Sequence, residues 1–196
     1  MLVELIRHGL TKSNLERRYL GLTDEPLSVQ GKKALIKAQY SCPAVYVTKL
    51  CRTSETASIL FPGASRIVVN GLEEMDFGRF DGKTGEEMAE DRDYIRWVEG
   101  GCRSRCPGGE DKKSFCTRVT TAFDALLTEA FRKGEKEVRI VCHGGTIMAV
   151  MERYASEKKD YFSWNRPCGC GYLLDAGDWK REKTLSVMEM TDYRAE

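Results

Sequence analysis

The chain has only two histidines, His8 and His143, and both stand in the same kind of surroundings. Each follows an apolar run and precedes glycine: Leu5-Ile6-Arg7-His8-Gly9 and Val141-Cys142-His143-Gly144-Gly145. Ligands of open α/β sheets bind just beyond the carboxyl ends of the strands, where an imidazole following a buried strand would sit. If the two strands are parallel neighbours, both rings reach one crevice. Glycine after each ring lets the backbone turn sharply and come close to a ligand. A helix expected to begin at Gly144 would aim unpaired N–H groups into the crevice, which favours an anion. Arg7 adds a fixed positive charge beside the first ring. A single histidine could equally be a hydrogen-bonded core residue; two in matched contexts, one with an adjacent arginine, point to a site.

Strands and helices must hold those rings in place. Apolar runs alternate with helix-period segments, which predicts an α/β fold, a three-layer sandwich with a mostly parallel sheet. Residues 2–6 form a short apolar run expected of a strand buried on both faces. Ser28 is placed to cap a helix carrying Ala34, Leu35 and Ala38 and stopped by Pro43. Strands are expected at 44–48 and 66–70, with a helix at 55–60 between them, ended by Pro62-Gly63. From about 73 to 110 the chain is polar and glycine-rich, with one helix expected at 86–98 and a loop at 100–109. Residues 114–131 predict an amphipathic helix with Phe115, Val119, Phe123, Leu126 and Leu127 on one stripe. A strand at 138–142 and a helix at 144–154 follow, then strands near 171–174 and 185–190. Residues 1–196 are expected to form one domain, with 73–110 as a lid-like excursion over the sheet.

Composition narrows the function classes. The 196 residues include 31 basic and 30 acidic ones, a net charge of +1, so bulk electrostatics point to neither nucleic acid nor an anionic membrane. No apolar stretch is long enough to span a bilayer, and the first residues lack a basic leader, so a cytoplasmic protein is expected. Eight cysteines would then be reduced thiols. Cys102 with Cys106 and Cys168 with Cys170 are close pairs, but neither is a CxxC, and buried or half-buried free thiols are the preferred reading over structural zinc.

The chemistry-bearing residues belong to longer motifs. Arg7-His8-Gly9 with Thr11 and Asn14 resembles R-H-G-x-T-x-x-N. Pro26-Leu27-Ser28 with Gly31, then Leu50, Arg52-Thr53 and Thr56-Ala57, match two further segments. Leu72, Glu74, Phe77-Gly78 and Phe80-Asp81-Gly82, then Pro107-x-Gly109-Glu110 and Val141-Cys142-His143-Gly144-Gly145, complete an ordered set. In this order they resemble the histidine phosphatase superfamily, the phosphoglycerate mutase-like proteins. Three positions depart from its pattern. Leu10 stands where glutamate is common, Cys142 where serine is usual, and Asp111 where serine is frequent.

The resemblance implies metal-independent phosphoryl transfer without a cofactor, on a small-molecule phosphomonoester. Arg7 and Arg52 would grip phosphate oxygens, which guanidinium groups can do in bidentate fashion. His143, if protonated, would be a further donor, and Gly144 and Asn14 would border the same oxygens, with Thr11 ordering the loop. His8 would be the nucleophile, with one ring nitrogen fixed by a hydrogen bond, for instance to a backbone carbonyl near Gly9. Glu74 would be the general acid, and its neighbour Glu73 is the competing assignment. Arg79, Tyr94, Arg96, Trp97, Arg103 and Arg105 are candidates for contacting the leaving group. The compact chain favours a phosphatase, and the arrangement around Glu74-Met75, Gly109-Glu110 and Phe115-x-x-Arg118-Val119 resembles α-ribazole-phosphate phosphatases of cobalamin synthesis. A phosphoglycerate mutase and a non-catalytic phospho-ligand binder are the alternatives.

Overall fold

The structure is a computed structural model that describes residues 1–195. Six strands form one sheet: β1 (Leu2–Arg7), β2 (Ala44–Val47), β3 (Ser65–Val68), β4 (Glu137–Cys142), β5 (Cys170–Asp175) and β6 (Ser186–Asp192). Their order is β3-β2-β4-β1-β5-β6. The first four run parallel, while β5 and β6 are antiparallel additions at one edge. The helices are α1 (Lys12–Leu15), α2 (Val29–Lys33), α3 (Cys51–Leu60), α4 (Arg92–Glu99), α5 (Lys112–Lys133), α6 (Gly144–Tyr154) and α7 (Trp179–Glu182). Successive strand residues face opposite ways. Val3, Leu5, Val138 and Ile140 therefore pack with Phe115, Phe123, Leu127 and Ile147 of α5 and α6, while Ile6, Val45, Val47 and Val141 pack with Ala57 and Leu60 of α3. The result is the expected three-layer arrangement with helices on both faces of the sheet.

α5 shows why sequence pattern translated well. Asp111 caps it through a bond from the Ser114 N–H, and Gly134 ends it at φ 72°, a left-handed conformation that glycine adopts without a Cβ penalty. Its apolar stripe is buried against the sheet, each large side chain contributing about 1.5–3 kcal/mol by leaving water.

Two expected helices are shorter. Ser28 does cap a helix, accepting from the Gly31 N–H, but α2 ends at Lys33. Beyond it, the Ile36 N–H donates to Tyr193 and the Ala38 N–H to Leu60, and Leu35 forms a β-bridge with Arg194. Tertiary partners thus take the backbone groups that a continued helix would need. Within the excursion, α4 starts only at Arg92, because Asp91 accepts from the Asp93 and Tyr94 N–H groups and sets the N-terminus there. α3, by contrast, begins at Cys51, one turn ahead of the expected start, so Arg52 lies on a helix.

Candidate active site

β1 and β4 are parallel neighbours with Arg7 opposite Cys142, so His8 and His143 follow strands that end side by side. The His8 N–H donates to the Cys142 carbonyl at 3.0 Å, and the two ring centroids are 5.3 Å apart. The His8 Nδ1 lies 2.7 Å from the Gly9 carbonyl oxygen. A carbonyl can only accept, so Nδ1 carries the proton and the Nε2 lone pair is left for chemistry. The His143 Nε2 is 3.0 Å from Thr48 Oγ1. Burial, then the guanidinium groups of Arg52 and Arg7, hold His8 well below its ordinary value. Burial and Arg52 depress His143 in the same direction, followed by His8, Arg7 and Arg118. The surroundings of His143 thus disfavour its imidazolium form.

Three buried nitrogens around these rings have no hydrogen-bond partner: Arg7 Nε, Arg52 Nε and His143 Nδ1. Arg7 donates from Nη1 to the Arg166 carbonyl at 2.7 Å. Arg52 is fully buried in the first turn of α3, and its terminal nitrogens donate to the Gly21 and Thr23 carbonyls at 2.7 and 2.8 Å. Both guanidinium groups are thus locked by backbone on one edge while Nε stays unpaired. An unsatisfied buried donor costs about 1–3 kcal/mol, so such atoms ask for an explanation. Thr56 joins α3 to the turn after His8, donating to the Arg52 carbonyl and accepting from the Gly9 N–H.

Glu74 and Glu73 have different surroundings. The Glu74 carboxylate accepts from the Gly145 N–H at 3.0 Å and from the Met75 N–H at 2.9 Å, and it borders the cavity over the two rings. Glu73 turns away, accepting from the Gly71 N–H and facing Arg118 at 3.6 Å. The first turn of α6 thus meets the protein's own carboxylate. A Cβ at 145 would lie 2.1 Å from Glu74 Oε1 and would displace that carboxylate. At Gly144 a Cβ would crowd the Arg7 Cζ at 3.2 Å.

The cavity has a volume of 340 Å³. Arg7, His8, Asn14, Glu74 and Gly144 line it, while Arg52 and His143 are fully buried. Asn14 commits its Oδ1 to the Thr11 N–H, and Thr11 caps α1 in return, so both residues order the loop. Of the six leaving-group candidates only Trp97 borders the cavity. Arg79 is paired with Asp91 and Asp93, Arg96 with Asp93, and Arg105 with Asp111. Tyr94 shares a hydrogen bond with Tyr19, and Arg103 lines a separate surface hollow beside Lys113 and Cys116. Met148, Tyr161, Phe162 and Lys112, which sequence reasoning missed, also line the cavity. Among the described residues no cluster of three or more His, Cys, Asp or Glu side chains could hold a metal ion, and all eight cysteines are free and buried or half-buried. None of the described helices is long and apolar enough to cross a membrane.

Residues 3–179 match the histidine phosphatase superfamily (branch 1). The chain belongs to this family. A similar member is the 2,3-bisphosphoglycerate-dependent phosphoglycerate mutase 2 of Gloeobacter violaceus, 30% identical over 168 residues, which are 76% of this chain and 74% of that protein. In fold the chain resembles the alpha-ribazole phosphatase from Shigella flexneri, with a TM-score of 0.84 at 22% identity, covering 100% of this chain and 98% of the other. It also resembles a phosphoglycerate mutase from Thermus thermophilus, with a TM-score of 0.69 at 28% identity, covering 97% and 98%. This member of the superfamily therefore shares a fold with proteins whose names differ in reaction.

Proposed function

We propose that this histidine phosphatase is a metal-independent phosphomonoesterase that forms a phosphohistidine at His8. The observation that carries this reading is the trio of unpaired buried nitrogens, on Arg7, Arg52 and His143, around a neutral imidazole. Arg7 Nε and Arg52 Nε are donors a dianionic phosphate needs, and His143 Nδ1 joins them in the tautomer whose Nε2 accepts from the Thr48 hydroxyl; filling them removes the desolvation cost they carry in the free protein. His8 Nε2 attacks phosphorus in line, so an N–P bond forms as the ester P–O bond breaks. Glu74 passes a proton brought in by the ester to the leaving oxygen. It then takes a proton from the water that cleaves the N–P bond, which returns inorganic phosphate and free His8. The excursion at 73–110 acts as a lid of the same domain, contributing Glu74 and Trp97. α-Ribazole 5'-phosphate is the substrate we favour: its leaving group bears an aromatic base, which suits a wall containing Phe77, Trp97, Tyr161 and Phe162. The alternative is a phosphoglycerate mutase, which the Gloeobacter violaceus relative supports. That enzyme would interconvert 3- and 2-phosphoglycerate when primed with 2,3-bisphosphoglycerate.

The test is a phosphomonoester panel in EDTA, covering α-ribazole phosphate, p-nitrophenyl phosphate, 3-phosphoglycerate, sugar phosphates and phosphoserine. Wild type is expected to turn over, and His8→Ala is not. Glu74→Gln should lose about 10²–10⁴-fold on alkyl esters, and less on p-nitrophenyl phosphate, whose leaving group departs without a proton. A complete, reversible loss of activity in EDTA would sink the reading.

A further inference from the structure

The lining of the cavity carries charge in an unusual balance. Four formally charged side chains line the whole cavity: Arg7, Glu74, Arg18 and Lys112. The first two belong to the reacting end. Each of the other two already has a carboxylate. Arg18 binds Glu16 at 2.7 Å and Glu87 at 2.8 Å, and Lys112 binds Glu152 at 2.8 Å. The Lys112 ammonium also sits 4.0 Å from the centre of the Tyr161 ring, which meets Phe162 edge to face at 5.1 Å. Lys112 begins α5, Glu152 lies on α6, and Tyr161 and Phe162 belong to a short 3-10 turn (Tyr161–Trp164), so three separate segments build this corner.

We propose that the Lys112–Glu152 pair makes the cavity select esters with a flat, uncharged leaving group and reject those carrying a second anion. The inference rests on the phosphomonoesterase reading and adds the charge class of the substrate. A second carboxylate or phosphate would leave water to enter the cavity, where the charges of Arg18 and Lys112 are already matched by carboxylates. A flat apolar group instead meets Phe77, Trp97, Met148, Tyr161 and Phe162. The ammonium keeps N–H capacity beyond its bond to Glu152, enough to donate to a neutral hydroxyl or ring nitrogen.

The decisive measurement is binding of 1-naphthyl phosphate and of 3-phosphoglycerate to His8→Ala protein by calorimetry, alone and combined with Glu152→Gln or Lys112→Met. The His8→Ala protein keeps the cavity but cannot be phosphorylated, so binding is read without turnover. The naphthyl ester should bind at least about tenfold more tightly than 3-phosphoglycerate. Glu152→Gln frees the Lys112 charge and should move that ratio about tenfold toward 3-phosphoglycerate, while Lys112→Met should not. A preference for 3-phosphoglycerate, an unchanged ratio in Glu152→Gln, or binding of neither ester overturns the inference. Normal selective binding with no turnover by the unsubstituted enzyme would instead overturn the phosphatase reading and leave the charge selection standing.

Discussion

At the scale of single residues, the site turns on keeping two imidazoles neutral beside two guanidinium groups. In water each ring would be half protonated at about pH 6.5. Here burial comes first and Arg52 second in disfavouring the charged form of both. Both folded-state values are therefore depressed below the unfolded ones. The linked stability is present above pH 6.5 and is lost as pH falls toward and through the folded values. With only two histidines in the chain, proton NMR resolves one Hε1 resonance from each. Neither resonance should titrate between about pH 7.5 and 6, and a midpoint near 6.5 for His8 would rule out a desolvated nucleophile. These residues were legible in the sequence because they stand in the family's motifs, which fix their types and their chain neighbours. Lys112, Met148, Tyr161 and Phe162 were not. They come from remote segments with no shared spacing, and only the packing of α5 against α6 and the following turn brings them together.

At the scale of elements, one arginine ties the excursion to the helix behind it. Arg118 on α5 binds Glu110 through Nε at 2.9 Å and Nη2 at 2.7 Å. It also donates to the carbonyls of Gly71, Glu73 and Glu74 at 3.1–3.2 Å. Glu110 in turn accepts from the Asp76 N–H, so a single guanidinium holds both ends of the segment that carries Glu74. Arg118 is a positioning residue. Arg118→Met should destabilise the fold by about 2–3 kcal/mol, the scale of lost hydrogen bonds to a charged group. It should also lower kcat for alkyl esters more than for p-nitrophenyl phosphate, with KM little changed. An equal loss on both substrates would mean that Arg118 serves stability alone. The Phe115-x-x-Arg118 pattern pointed to this residue without revealing its task, since the carbonyls it binds lie some forty-five residues earlier. The α2 region failed for the reverse reason: its local pattern is helical, but the partners of Ile36 and Leu35 come from residues 193 and 194. Elements whose backbone groups are satisfied internally, such as α5 and α6, were readable; those completed by distant chain were not.

At the scale of the whole molecule, the question is whether the excursion moves as a separate unit. Its side chains argue against that. Phe80, Met88, Trp97 and Cys106 are buried in the same cluster as Leu5 and Ile140 of the sheet and Phe115 and Phe123 of α5. Trp97 meets Tyr19, Phe77 and Phe80 with ring centroids 5.6, 6.3 and 5.6 Å apart, and its Nε1 donates to the Ser104 carbonyl at 3.1 Å. Removing the excursion from the sheet would expose this cluster, at about 25 cal/mol for each Å² of apolar surface returned to water. Opening it should therefore require global unfolding, because locally stable units are those that share few buried contacts with the rest. The chain has three tryptophans, so Trp164→Phe combined with Trp179→Phe leaves Trp97 as the sole indole reporter inside the excursion. In urea, its fluorescence and the far-ultraviolet circular dichroism should change with one common midpoint, as two-state unfolding requires. An earlier fluorescence transition would show that the excursion detaches first. Glu74 would then be delivered to the phosphate by a moving segment, and the acid step would be gated by that motion instead of built into a rigid core.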